Sequence, residues 1–189
     1  MITYGQQLET LLEKVMTAEQ VAQFFDYEIS VAETQLISDT AKEVLALAPS
    51  QGFNCAAMSA AWGAMVMAHS SIPTQIVCGH LDWRSRRIFN YIKPIPTPEE
   101  SMKELELWDG HCWVAFGGLI GDASLSRTVR YGKVPGSFKA HILTLLGPNA
   151  GPFCATAEQM QSADLTYIPC ALLNDPQIDG LLAGFLPQR

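Results

Sequence analysis

Charge is scarce in this sequence. Only 16% of its residues are Asp, Glu, Lys or Arg and 48% are apolar, a balance that excludes a disordered, solvated chain. The scarcer sign is the positive one: twelve bases against nineteen acids leave a net charge of −7. That disfavours a nucleic-acid surface or an anionic membrane face. Long hydrophobic runs are missing too. The longest mostly apolar stretch, Cys55 to Ala68, is too short and too interrupted to span a bilayer. Met1-Ile2-Thr3-Tyr4-Gly5 has no basic segment leading into an apolar one, so no signal peptide is expected. Cysteine numbers only five, an odd count without zinc-ribbon or disulfide-scaffold spacing. The expectation is reduced thiols in a cytoplasmic protein, with no metal and no cofactor.

What is present fits one domain. A chain of 189 residues buries about 70% of its unfolded surface and needs no staple. The expected organisation is a single domain over 1–189, with N-terminal helices in 1–49, a core in 50–125 and a mixed part in 126–189. Leu8, Leu11, Leu12 and Val15 predict a helix over 6–16. Thr17-Ala18-Glu19-Gln20 is a capping box that opens a second, and Thr156 to Gln159 repeats the signal. A third helix is predicted over Asp39 to Ala48. Residues 55–69 are apolar almost all round, so this helix belongs inside the protein. Asn54 is a suitable N-cap for it. Residues 74–81 read as a buried strand and 82–97 as a surface excursion carrying Arg84, Arg86 and Arg87. Thr97-Pro98-Glu99-Glu100 reads as a short helix start. His111 to Phe116 and Leu119 to Ser124 form a hairpin across Gly117-Gly118. A helix over Ser137 to Leu146, a strand over Leu165 to Leu173 and a last helix after Pro176 complete the reading.

Three residues carry chemistry on these elements. Cys55 opens the buried helix, where unpaired N–H groups and the macrodipole favour a thiolate. With Gly117-Gly118 as a two-residue loop, paired residues have numbers summing to 235. Trp113 then faces Asp122, and His111 faces Ser124. His111 and Asp122 are therefore diagonal neighbours on one face, close enough for a carboxylate to orient an imidazole. A three-residue loop would put them on opposite faces. Cys112 points away from His111 and reads as core, as do Cys78, Cys154 and Cys170. His69, His80 and His141 lack a partner pattern. A zinc site from Cys78, His80, His111 and Cys112 is disfavoured because adjacent strand residues diverge.

Asn54 to Trp62, Asp109 to Val114 and Ile120 to Ser124 resemble the Cys, His and Asp blocks of the transglutaminase-like group of the papain-like cysteine superfamily. The likeness spans roughly residues 50–125; only ten residues separate His111 from Asp122, which suits a compact bacterial version. It implies an α+β fold with the cysteine helix packed on an antiparallel sheet and extra helices at both termini. It also implies a cysteine-dependent acyl-transfer or amide-hydrolysing enzyme acting on a peptide, amide or acyl small molecule. Cys55 would be the nucleophile, His111 its base and Asp122 the orienting acid. Gln51 is a candidate second oxyanion donor beside the Cys55 N–H, and Trp113 a candidate cleft wall. The alternative is a catalytically silent relative that binds a peptide or small molecule in the same cleft.

Overall fold

The computed structural model describes residues 2–48, 55–95, 108–147 and 150–185. Among these the architecture is mixed α+β, with 8 helices and a 6-stranded antiparallel sheet. The predicted starts at Asn54 and Thr97 lie outside the described residues, as does Gln51.

Three helices open the chain: α1 (Tyr4–Leu12), α2 (Ala18–Asp26) and α3 (Val31–Leu47). Each starts from a complete capping box, Thr3 with Gln6, Thr17 with Gln20 and Ser30 with Glu33. In each, the cap hydroxyl takes the N3 amide and the N3 side chain returns to the cap amide. The third helix thus begins at Val31 rather than at Asp39, because Ser30 and Glu33 carry the same signal as Thr17 and Gln20. The first ends at Leu12, short of the expected 16. Val15, counted as part of its apolar stripe, is exposed.

Helix α4 (Cys55–His69) lies on the sheet as expected of a helix without a polar face. Small residues let it approach closely. A Cβ on Gly121 would come within 2.6 Å of the Phe116 ring and 2.9 Å of the Trp62 ring. The Trp62 indole N–H in turn donates to the Ile37 carbonyl at 3.0 Å, tying α4 to α3.

Strand β1 (Thr74–Trp83) is the centre of the sheet. Its residues 77–83 pair with β6 (Leu165–Leu172). Its other edge is shared: β3 (His111–Phe116) pairs with residues 74–79 and β2 (Arg86–Phe89) with residues 81–83. Because both overlap the stretch that β6 covers, β2 and β3 must lie end to end on one side of β1. Beyond β3 follow β4 (Leu119–Asp122) and β5 (Phe153–Thr156). Residues 84–87 are exposed, as expected of a surface excursion, but 82–89 form a hairpin rather than an irregular loop. The strand turns through Arg84 and Ser85, both with positive φ (50° and 63°), and returns as β2. A two-residue turn with φ > 0 matches strand twist, but it was silent in the sequence because neither residue is Gly or Asn. Arg84 pairs with Asp164 at 2.8 Å and Arg87 with Asp82.

The β3–β4 hairpin has the expected register, with Phe116 opposite Leu119 and Val114 opposite Gly121. Gly117 takes φ 55° in its loop. The second strand stops at Asp122 rather than Ser124, since the chain turns there into α5 (Leu125–Tyr131), a helix the sequence reading omitted. Then follow α6 (Gly136–Leu146), α7 (Ala157–Ser162) and α8 (Asp175–Phe185).

The six residues of β3 are all buried. Cys112, Val114 and Phe116 face α4, whereas Trp113 and Ala115 face a second core built from α1, α2, α5 and α6. An antiparallel sheet covered on both faces is uncommon, and it explains why β3 reads as an unbroken apolar run. No helix among the described residues is long and apolar enough to cross a membrane.

Candidate active site

The shared edge of β1 creates a seam. Phe89, the last residue of β2, pairs with Leu81, and His111, the first of β3, pairs with Gly79. The Asn90 amide donates to the Asp109 carbonyl at 2.8 Å and closes the two strand ends against each other. Across the seam the Phe89 ring stacks on the His111 imidazole, with centroids 4.9 Å apart and planes 20° from parallel. His111 is fully buried. Gly79 has no side chain because a Cβ there would stand 2.0 Å from the Ile168 carbonyl oxygen and 2.9 Å from the Trp113 ring.

Asp122 organises the imidazole. His111 Nε2 donates to Asp122 Oδ2 at 2.6 Å, and the Tyr167 hydroxyl donates to the same oxygen at 2.8 Å. Oδ1 accepts from the Ser124 amide at 2.8 Å, the Ser124 hydroxyl at 3.1 Å and the Leu125 amide at 2.9 Å. Ser124 is the N-cap of α5 and Leu125 its first residue, so the same carboxylate that holds the histidine also takes amides at a helix start. Burial raises the Asp122 pKa, but the His111 charge and these donors outweigh it and hold the carboxyl below its ordinary value.

With Nε2 taken by the acid, Nδ1 is the ring nitrogen left over. It is buried and has no hydrogen-bond partner among the described residues. An orphaned ring nitrogen beside a nucleophile is what proton transfer requires. Cys55 supplies that nucleophile. It is the first residue of α4, only 6% exposed, with Sγ 4.0 Å from the Gly110 carbonyl. Helix α4 and the His111 ring lie on opposite faces of the sheet, yet β3 begins at His111, so the two groups meet around the strand end. There each lies near enough to shift the other's ionisation.

The electrostatics follow from these contacts. The Cys55 pKa falls to about 5, chiefly through the Cys112 thiol; burial opposes this, and the His111 hydrogen bond and charge add to it. Burial disfavours the His111 imidazolium, but Asp122 and Cys55 more than compensate, and its pKa rises to about 10. Between those values the pair is a thiolate and an imidazolium.

The three residues singled out in the sequence are thus together. Trp113 is not a cleft wall: it has no exposed surface, its indole N–H donates to the Tyr4 hydroxyl at 3.1 Å, and it packs edge-on against Tyr167. It shares the His111 face, but α1 covers that face. Cys154 and Cys170 are not core thiols, being exposed and half-buried; Cys154 lies on β5, at the end of the sheet. Among the described residues no three or more His, Cys, Asp or Glu side chains are placed to hold one metal ion.

Four participants were missed. Phe89 and Tyr167 carry no local signal, since their roles depend on strands meeting across the sheet. Cys112 and Cys78 were read only as core, Cys112 because it points away from His111, and both are fully buried. Cys112 does point away, but towards α4 and therefore towards Cys55. Cys112 and Cys78 are paired residues of β3 and β1, their sulfurs 2.7 Å apart.

No protein-family model, no curated protein and no solved structure matches the chain.

Proposed function

We propose that the chain is a cysteine-dependent acyl-transfer or amide-hydrolysing enzyme of the transglutaminase-like, papain-like type. The observation that carries this reading is the orphaned Nδ1 of a buried, carboxylate-held imidazole next to a thiol at a helix start. Cys55 Sγ attacks an acyl carbon as the thiolate. The leaving amine or alkoxide takes the proton held on His111, and a thioester with Cys55 results. Water or an amine, deprotonated by His111, then releases the acyl group. Asp122 keeps Nε2 protonated and Nδ1 turned to the sulfur throughout. The backbone N–H of Cys55 serves as one oxyanion donor.

The test is acyl-enzyme trapping with p-nitrophenyl acetate as the activated donor. One acetyl group is expected on Cys55 by peptide mapping, with turnover accelerated by hydroxylamine as acceptor. Acetylation spread evenly over the cysteines, or hydroxylamine-accelerated turnover unchanged in His111→Gln, would remove the reading.

The burial of both groups, with Cys55 6% and His111 0% exposed, favours a second reading, a silent relative that binds a peptide or small molecule. In that case Cys55 is not acetylated in preference to Cys154, the exposed thiol.

A further inference from the structure

Three of the five cysteines form a contiguous chain. Cys55 and Cys112 are buried in one cluster, close enough for each thiol to shift the other's ionisation, and Cys112 Sγ lies 2.7 Å from Cys78 Sγ. All three belong to one apolar cluster beneath the start of α4, lined also by Trp108 and Ile95. Acyl transfer needs only the first of them. The other two are directly opposite residues of antiparallel strands. Such pairs have Cα atoms about 4.5–5.5 Å apart, inside the window of about 4.4–6.8 Å that a disulfide requires. A cross-strand bond could therefore close without moving the sheet.

We propose that these residues form a thiol relay: peroxide oxidises Cys55, and the oxidation passes inward to a Cys78–Cys112 disulfide, which returns Cys55 as a free thiolate. In the first step the Cys55 thiolate attacks one oxygen of hydrogen peroxide. The O–O bond breaks, the second oxygen leaves as water after taking a proton, and Cys55 becomes a sulfenic acid, oxidised by two electrons. Cys112 then attacks the Cys55 sulfur, an S–S bond forms and the hydroxyl leaves as water with the Cys112 proton. Finally Cys78 attacks the Cys112 sulfur, gives up its proton and displaces Cys55 as the thiolate. The sum is one peroxide and two thiols consumed, one disulfide and two waters formed. A low thiolate pKa suits Cys55 both as the attacking group in the first step and as the leaving group in the last. Cys112, whose own ionisation is pushed up by burial, is a poorer leaving group, which directs the final exchange outward from Cys55. The relay rests on the Cys55 thiolate of the proposed site and not on its acyl chemistry. It would keep a peroxide-sensitive nucleophile from irreversible overoxidation.

The test treats the full native chain with one equivalent of hydrogen peroxide at neutral pH, blocks free thiols with N-ethylmaleimide and maps peptides without reduction. A Cys78–Cys112 disulfide is expected, with Cys55 and Cys154 blocked as free thiols. Cys78→Ala should arrest the relay as a Cys55–Cys112 disulfide. Cys55→Ala or Cys55→Ser should slow formation of the Cys78–Cys112 bond by about tenfold or more. Sulfinic acid on Cys55 with Cys78 and Cys112 still free overturns the relay, and so does an undiminished rate without Cys55. A peroxide-free sample alkylated with iodoacetamide at pH 6 separates the two proposals. If Cys55 is labelled preferentially but no disulfide forms, the relay alone falls; if Cys55 is not labelled preferentially, both fall.

Discussion

Replacing His111 with glutamine asks how much of the Cys55 thiolate is owed to the imidazolium. Glutamine keeps a polar group against Asp122 and removes the charge. A unit charge within about 4–6 Å moves a pKa by about 1–3 units, so the Cys55 midpoint should climb from about 5 to roughly 6–8. The Cys112 thiol, the largest stabilising contact, remains, so a full return to the free-thiol value of about 8.5 is not required. Each unit is worth about 1.4 kcal/mol. The choice of assay matters. A rise of about two units leaves roughly a tenth as much thiolate at pH 6. Each remaining thiolate, however, is about eightfold more nucleophilic, with a Brønsted coefficient near 0.45. The two effects nearly cancel, and an alkylation rate at one pH would miss the change. The thiolate should instead be followed by its ultraviolet absorbance across the pH range, with Cys55→Ala assigning the transition. A midpoint in His111→Gln within about 0.3 unit of wild type, less than about 0.5 kcal/mol, would detach His111 from Cys55. A wild-type midpoint above about 8 would remove the low-pKa thiolate altogether.

Asp122→Asn should raise the Cys55 midpoint too and cost about 3–5 kcal/mol at neutral pH, because a buried charge loses its partner; urea unfolding measures the loss. Its pH dependence has a definite sign. Asp122 is depressed in the native state, so its contribution is present above the unfolded value of about 3.9 and lost as pH falls through the native one. Wild type should therefore lose stability on acidification in that window, and the asparagine variant should show a flatter profile there. Tyr167→Phe removes one donor from Asp122 Oδ2 and should cost about 1–2 kcal/mol, read as a lowered thermal midpoint, while His111 stays bound to the same oxygen. Gly121→Ala forces a Cβ against Phe116 and Trp62 and should cost about 1–3 kcal/mol, measured by the same melting curve.

Local signals were legible wherever a residue acts on its neighbours in the chain. The capping boxes at Thr17 and Thr156 work through bonds three residues long, and both helices start where expected. The hairpin loop sets the parity of β3 against β4. From that parity alone Asp122 shares the His111 face, and Cys55 falls on the first turn of a buried helix by the same local reasoning. What the chain conceals is how distant elements meet. The turn at Arg84-Ser85 relies on positive φ without glycine, so β2 was invisible, and with it Phe89 over the imidazole. Cys112 shows the difference most sharply. Strand alternation states which face it occupies, and it occupies that face. Whether the face is inert depends on which helix lies across it, a matter of packing between residues more than fifty positions apart. The sequence by itself determined the order, the spacing and the facing of Cys55, His111 and Asp122, because these follow from backbone periodicity. Only the tertiary structure decided that His111 stands at a strand end where a thiol from the opposite face can reach it, because that meeting depends on how β2 and β3 divide one edge of β1.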